Sequence, residues 1–325
     1  MTKILILRFS SIGDIVLTSP VIRCLKQQIT GCVLHFFTKK KFESIVANNP
    51  NIDKLFLLEN NLSEILITLK KEKYDYIIDL HHNLRTWRIK SALGRKSYSF
   101  RKLNFEKWLL VNFKINKLPA LHIVDRYFKT VNKLGVKNDL KGLDFFIDNK
   151  NEIKLNSLPK NFQNGFIAFA IGGQHATKRL PDEKIINICR KLKQPIILLG
   201  GKEDVNTGEK ISSYVGRDKV YNACGKYNIQ QSASIIKHAQ KVITHDTGLM
   251  HIAAAFKKDI ISVWGNTIPE FGMTPYLAGE KSSMIEVKDL NCRPCSKIGY
   301  NRCPKKHFYC MNLIDENDIV EAANN

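Results

Sequence analysis

Asp14, Lys178 and Asp246 stand where apolar runs give way to small polar residues, the places in this chain best suited to moving a proton or holding an anion. Asp14 closes the turn Ser10-Ser11-Ile12-Gly13-Asp14, after the apolar run 3–9. A carboxylate near a helix N-terminus stays ionised, so Asp14 is either a helix cap or a general base that accepts a proton from an attacking hydroxyl. Asp246 and Thr247 follow the apolar run 242–244 and precede Gly248, Leu249 and a small-residue helical stretch. Both are good N-cap types, and a helix opening there offers unpaired N–H groups and a positive dipole end to a phosphate. His251, one turn on, either faces the same ligand or supports the turn from behind.

The run 166–171 leads into Gly172-Gly173-Gln174-His175-Ala176-Thr177-Lys178-Arg179-Leu180-Pro181. The glycines admit a ligand to the backbone, and Lys178 and Arg179 place charge just before a helix that opens near Pro181. A loop lysine is also unremarkable in so basic a chain. In Gly200-Gly201-Lys202-Glu203-Asp204 one of the two acids binds ribose hydroxyls or simply complements a helix dipole. Arg85, after Asp79-Leu80-His81-His82-Asn83-Leu84, has the planar fork that suits a carboxylate, unless it is an exposed arginine without a role. The adjacent His81 and His82 point different ways on an extended turn, which argues against a shared metal. Cys292-x2-Cys295-x7-Cys303-x6-Cys310 would satisfy a structural zinc, but the wide second spacing favours reduced, packed thiols.

Two of these segments share a wording. D-T-G-L-M-H-I-A-A-A (246–255) and S-S-I-G-D-I-V-L-T-S-P (10–20) resemble the donor-site and N-terminal motifs of glycosyltransferase family 9, the bacterial ADP-heptose:lipopolysaccharide heptosyltransferases. Lys178 matches the lysine of that family's K-x-W-P-like motif, with Leu180 in place of Trp; 265–269 resembles its G-x-T-D-P turn, with Ile268 in place of Asp. The resemblance implies an α/β fold of GT-B type, two Rossmann-like domains facing across a cleft. Residues 1–150 would bind acceptor and 160–325, with the Cys-rich end, the nucleotide-sugar donor. It implies inverting, metal-independent transfer of a heptose from ADP-heptose, or another sugar from a related donor, to a lipopolysaccharide core or similar anionic glycolipid. Asp14 would be the base and Lys178 the diphosphate ligand. Donor contacts would fall on Thr177, Lys178, Glu203, Asp246, Thr247, Gly248, Leu249 and His251, and acceptor contacts on Ser10, Ser11, Gly13 and Arg85. No cofactor is required.

Strands expected at 3–9, 33–37, 54–58 and 76–80, a helix from the Ser10 turn to about Gln28 and another at 62–71 would position the first set of groups. A polar linker at 139–165 precedes strands at 166–171, 195–199, 219–221, 241–244 and 260–263, and a last helix covers 315–323. Such alternation implies mostly parallel sheets, whose ligands sit beyond the strand carboxyl ends. From about Asn104 a helix aligns Phe105, Trp108, Leu109, Asn112 and Phe113 in one stripe beside several lysines. That stripe is either core packing or a surface for membrane or anionic glycolipid.

With 325 residues the chain has room for two cores. Its 51 Lys plus Arg against 30 Asp plus Glu leave +21, so acidic partners are expected. The opening run is too short for a signal peptide and no run approaches the ~18 apolar residues of a spanning helix. A cytoplasmic protein is therefore expected, with peripheral contact at the inner membrane face as a further expectation. The rival reading from another class is a basic nucleic-acid-binding protein with a zinc-like Cys module; no nucleic-acid motif accompanies it.

Overall fold

In the computed structural model, which describes residues 1–325, every strand pairing is parallel, in one five-stranded and one six-stranded sheet. The chain divides into two compact units, Met1–Leu103 with Leu121–Phe146, and Asn104–Ala120 with Ile147–Asn325.

The first unit runs β1 (Thr2–Leu7), α1 (Ile12–Val16), α2 (Ser19–Gln28), β2 (Cys32–Lys39), α3 (Glu43–Val46), β3 (Lys54–Leu58), α4 (Leu62–Lys71), β4 (Tyr76–Asp79), α5 (Leu84–Leu93) and β5 (Lys96–Ser99). Its sheet order is β3-β2-β1-β4-β5. β1 lies in the middle, and Ile4, Leu5, Ile6 and Leu7 are fully buried, as an unbroken apolar run covered on both faces must be. The single helix expected up to Gln28 is two. Pro20 falls in the first turn of α2, where its missing N–H costs nothing, and so starts a new helix after Thr18. β5 escapes the sequence pattern because Lys-Ser-Tyr-Ser is a polar, largely exposed strand at the sheet edge.

α6 (Asn104–Phe113) groups with the second unit, and the chain then returns to the first as α7 (Ile123–Val131), which buries Val124, Tyr127, Phe128 and Val131. The aromatic stripe of α6 does not face a core. Phe105, Trp108 and Phe113 are 65%, 46% and 58% exposed, whereas Leu110 is buried against Ile268 and Phe271. The reason lies at Ile268: an apolar side chain there makes a socket for Leu110 and Val111, and that contact turns the aromatic side outward.

The second unit continues with β6 (Ile167–Ala170), α8 (Asp182–Lys191), β7 (Ile196–Leu199), α9 (Val205–Val215), β8 (Val220–Asn222), α10 (Ile229–His238), β9 (Lys241–His245), α11 (Gly248–Ala255), β10 (Asp259–Trp264), β11 (Ser283–Glu286), α12 (Tyr309–Asn312) and α13 (Glu316–Asn324). Its order is β11-β10-β9-β6-β7-β8. α13 closes this unit by burying Ile319 and Ala323 in the cluster that holds Ile185 and Ile188 of α8. No helix is long and apolar enough to cross a membrane.

Both sheets place their first strand in the middle, with the second on one side and the fourth on the other. Connections from adjacent strands therefore leave to opposite faces, opening a crevice beyond the carboxyl ends of β1 and β4 in one unit and of β6 and β9 in the other.

Candidate active site

In the first unit the residues after β1 and β4 are gathered by a side chain that carried no sequence motif, Arg8. It is 6% exposed, donates from Nε to the Ser10 carbonyl at 2.8 Å and from Nη1 to the Leu80 carbonyl and to the Tyr127 hydroxyl at 3.0 Å. Its Nη2 meets Asp14 Oδ1 at 2.7 Å. A buried guanidinium has to be paired in this way. Burial works to lower the Arg8 pKa, but the Asp14 carboxylate, with Tyr127 and Asp79, outweighs it and raises it. The other Asp14 oxygen accepts from Ser11 N at 3.0 Å and Ser11 Oγ at 2.7 Å. Asp14 thus reaches back to the helix entry as a cap would and is also held by a cation, with its side chain 22% exposed.

The expected acceptor residues divide. Ser10 and Ser11 join Asp14 through these bonds, and Gly13 is buried inside α1. Arg85 lies over the Phe9 ring at 5.5 Å. Lys39 has its pKa lowered by burial and then by Arg85 and Lys41, so these cations stand close together at the β2 and β4 ends. His81 packs edge-on against Phe9 and is pushed down to about 4 by burial, then by Arg8 and Lys102, so it is neutral at pH 7. His82 Nδ1 pairs with the Phe100 carbonyl at 2.8 Å.

In the second unit Lys178 and Asp246 meet. Lys178 Nζ is 2.5 Å from Asp246 Oδ2, which also accepts from Thr267 Oγ1 at 2.9 Å. Asp246 is therefore not the cap of α11. That position belongs to Thr247, whose side chain makes no cap bond, so the start of α11 is not capped by its own N-cap residue. An ammonium has three donors, and Lys178 gives one to Asp246 Oδ2 at 2.5 Å and another, longer, to the Asp246 carbonyl at 3.4 Å. Gly173 lies beside this turn: a Cβ there would come within 3.3 Å of Thr247 Cγ2.

Other bonds set the loop that carries Lys178. His245, fully buried at the end of β9, accepts from Leu180 N through Nε2 at 3.0 Å. Burial, then Arg179, pushes its pKa down to about 3, which keeps the ring neutral and the acceptor available. Thr177 is not open to a ligand at all: it is 2% exposed, donates to Asn266 Oδ1 at 3.0 Å and accepts from Tyr300 N at 2.8 Å. Its role in this structure is to join the 176–178 turn to the segments after β10 and around Tyr300. His251, 2% exposed, belongs to the packed interior of α11, while Gly248 and Leu249 stay partly accessible.

The pair Glu203 and Asp204 is separated by the structure. Asp204 is buried, accepts from Gly201 N at 2.8 Å and pairs with Arg179 Nη1 at 3.0 Å, whereas Glu203 is exposed. Gly172 is required here, because a Cβ would stand 2.3 Å from Asp204 Oδ2.

The zinc alternative finds no support. No three His, Cys, Asp or Glu groups are placed to share an ion, and Cys292 Sγ comes only to 3.9 Å from His307 Nε2. Burial, then the neighbouring thiols Cys295 and Cys303, pushes Cys310 up to about 12, so it is a neutral packed thiol.

Arg8 and His245 are contacts that motif reading did not single out, and Thr267 lay inside the 265–269 turn without a role of its own. A signal existed for the first: an arginine embedded in I-L-I-L-R-F is a charge in an apolar run and must be paired where it lies.

Two Rossmann-like α/β units, each with charged groups converging at its switch point, define the GT-B class of transferase fold. The profile of glycosyltransferase family 9 (heptosyltransferase) matches residues 64–305, and the chain belongs to that family and is a glycosyltransferase. It is 25% identical to lipopolysaccharide heptosyltransferase 1 of Campylobacter coli, over 99% of this chain and 98% of that one. It is 25% identical to lipooligosaccharide heptosyltransferase 2 of Campylobacter jejuni, over 97% and 95%. Among solved structures, a family 9 glycosyltransferase from Veillonella parvula superposes with TM-score 0.80 at 22% identity, covering 99% of this chain and 96% of that one. E. coli ADP-heptose LPS heptosyltransferase II gives 0.75 at 18%, covering 99% and 98%.

Proposed function

We propose that this protein transfers a heptose from ADP-heptose, with inversion, to a hydroxyl of a lipopolysaccharide core or similar anionic glycolipid. The observation that carries this reading is Lys178 held on the Asp246 carboxylate beside the uncapped start of α11. A diphosphate placed there accepts N–H donors from the helix start and a charge-assisted bond from Lys178. Thr247, Gly248 and Leu249 supply the backbone, and the exposed Glu203 faces the ribose.

In the reaction the acceptor oxygen forms a bond to the anomeric carbon while the bond from that carbon to the diphosphate oxygen breaks, the electron pair leaving with ADP. The hydroxyl proton passes to Asp14. Lys178 and the amides of α11 stabilise the charge that grows on the leaving diphosphate. Ser10, Ser11, Gly13 and Arg85 line the acceptor side, and the Arg85 cation suits an acidic sugar. This assignment needs no metal ion to neutralise the diphosphate. A thermal-shift panel of ADP, UDP, GDP and ADP-heptose tests the donor: ADP and ADP-heptose raise the melting temperature of the wild type and not of Lys178→Ala. A stronger response to UDP or GDP would reassign the nucleotide.

A further inference from the structure

We propose that the exposed aromatic side of α6, together with the basic segment 297–306, docks this protein onto the surface of an anionic lipid bilayer. Phe105 stacks on Trp108 with ring centroids 6.1 Å apart, and Trp108 meets Phe113 edge-on at 5.2 Å. Ile115, just beyond the end of α6, is 48% exposed. Single exposed apolar residues are ordinary, but three rings in a row, with Trp108 in contact with both others and each about half in water, form a contiguous ridge that needs a partner. The other side of α6 is anchored by Leu110 on Ile268 and Phe271, and Lys107 lies over the Phe271 ring at 5.3 Å.

Charge identifies the partner. Residues 101–118 contain five basic side chains and one acidic one, Glu106. Lys114, at the end of α6, donates to the Pro294 carbonyl at 2.8 Å and so joins the helix to the Cys-rich segment. Within that segment Lys297, Arg302, Lys305 and Lys306 are all exposed, with no Asp or Glu between 297 and 306, and Ile298 and Tyr300 are 60% and 43% exposed. Aromatic rings at headgroup depth, flanked by cations that meet lipid phosphates, are what an interfacial segment presents to an anionic leaflet. A second copy of this chain fits the ridge less well, because it would bring another +21 of like charge to the same contact. The inference is independent of which sugar is transferred.

The full-length protein is sedimented with vesicles of phosphatidylcholine alone and of phosphatidylcholine mixed with phosphatidylglycerol. Partitioning into the anionic vesicles is expected to be about tenfold stronger or more and to fall as salt rises. The triple variant Phe105→Ser/Trp108→Ser/Phe113→Ser loses at least about tenfold of that binding, since each ring is withdrawn from the interface. Its melting temperature stays close to that of the wild type because all three rings are exposed. The triple variant Lys297→Glu/Arg302→Glu/Lys305→Glu loses binding to the anionic vesicles selectively. Should the aromatic variant fail to fold, a Trp87→Phe protein reads the same contact by fluorescence. Trp264 is buried, so an emission blue shift on adding anionic vesicles reports Trp108. Equal partitioning into both vesicle types, an aromatic variant that binds like the wild type, or no emission shift would overturn the proposal. So would a wild-type dimer, in the absence of vesicle binding, that the aromatic variant dissociates.

Discussion

Asp14 and Asp246 are both carboxylates just beyond a central strand, yet their surroundings give them different work. Asp246 is occupied by Lys178 and Thr267, which makes it a support for the lysine. Asp14 is held by Arg8 and Ser11 with 22% of its side chain open to solvent, so its orientation is fixed while access remains. A base needs both properties. Asp14→Asn keeps the size but has a single acceptor oxygen, so it can accept from Arg8 or from Ser11 N but not from both, and it cannot take a proton. Turnover per folded molecule should therefore fall by roughly 10²-fold or more while ADP binding changes little, and the melting temperature should fall to the extent that Arg8 loses its charge partner. A large loss of stability in Asp14→Asn, with turnover per folded molecule unchanged, would make Asp14 a capping residue only. The contrast also shows where residue types stop being informative: Asp246 and Thr247 were equal candidates for the cap, and only the position of Lys178, 68 residues earlier in the chain, separates them.

At the scale of elements, legibility follows burial. β1, β6 and β9 lie inside their sheets and read as apolar runs, whereas β5 and β11 lie at sheet edges, and their Lys-Ser-Tyr-Ser and Ser-Met-Ile-Glu sequences give no such run. The position of α6 was legible and its orientation was not, because a helix with Leu110 on one side and three aromatics on the other has two apolar sides, and the socket at Ile268 selects between them. The bond from the β9 end to the Lys178 loop was invisible for a similar reason: His245 lies in a strand that reads simply as buried. That bond has a pH signature. The folded state holds His245 at about 3, below the ordinary histidine value, so the unfolded chain binds the proton more readily. Its contribution is present above about pH 6.5 and is lost as pH falls toward 3. The neutral His81, held at about 4, acts with the same sign. Glu72 and Asp139, held at about 2, lose their contributions only below the ordinary carboxylate range, which leaves pH 7 to 5 as the window for histidine. Urea unfolding of the wild type should weaken by about 1–2 kcal/mol more across that window than unfolding of His245→Gln, which keeps an acceptor for Leu180 N but does not titrate. Parallel pH dependences would remove His245 from the account.

At the scale of the whole molecule, the same strand order appears twice, and the charged groups collect at the same place in each copy: Arg8 with Asp14 beyond β1 and β4, Lys178 with Asp246 beyond β6 and β9. Repetition of a fold does not by itself assign ligands, but the chemistry of the two places differs. The first has a fixed carboxylate among cations, suited to an acidic sugar bearing a hydroxyl. The second has a lysine and an uncapped helix start, suited to a diphosphate. If that division holds, a nucleotide without an acceptor should be felt in one unit only. Hydrogen–deuterium exchange with saturating ADP is expected to slow the amides of 173–180 and 246–250, because the helix start and the glycine turn become hydrogen-bonded and shielded, and to leave 8–14 unchanged. Lys178→Ala should abolish the protection in both segments. Protection that appears first around Asp14, or that survives loss of Lys178, would place the nucleotide in the other unit and reverse the assignment of donor and acceptor.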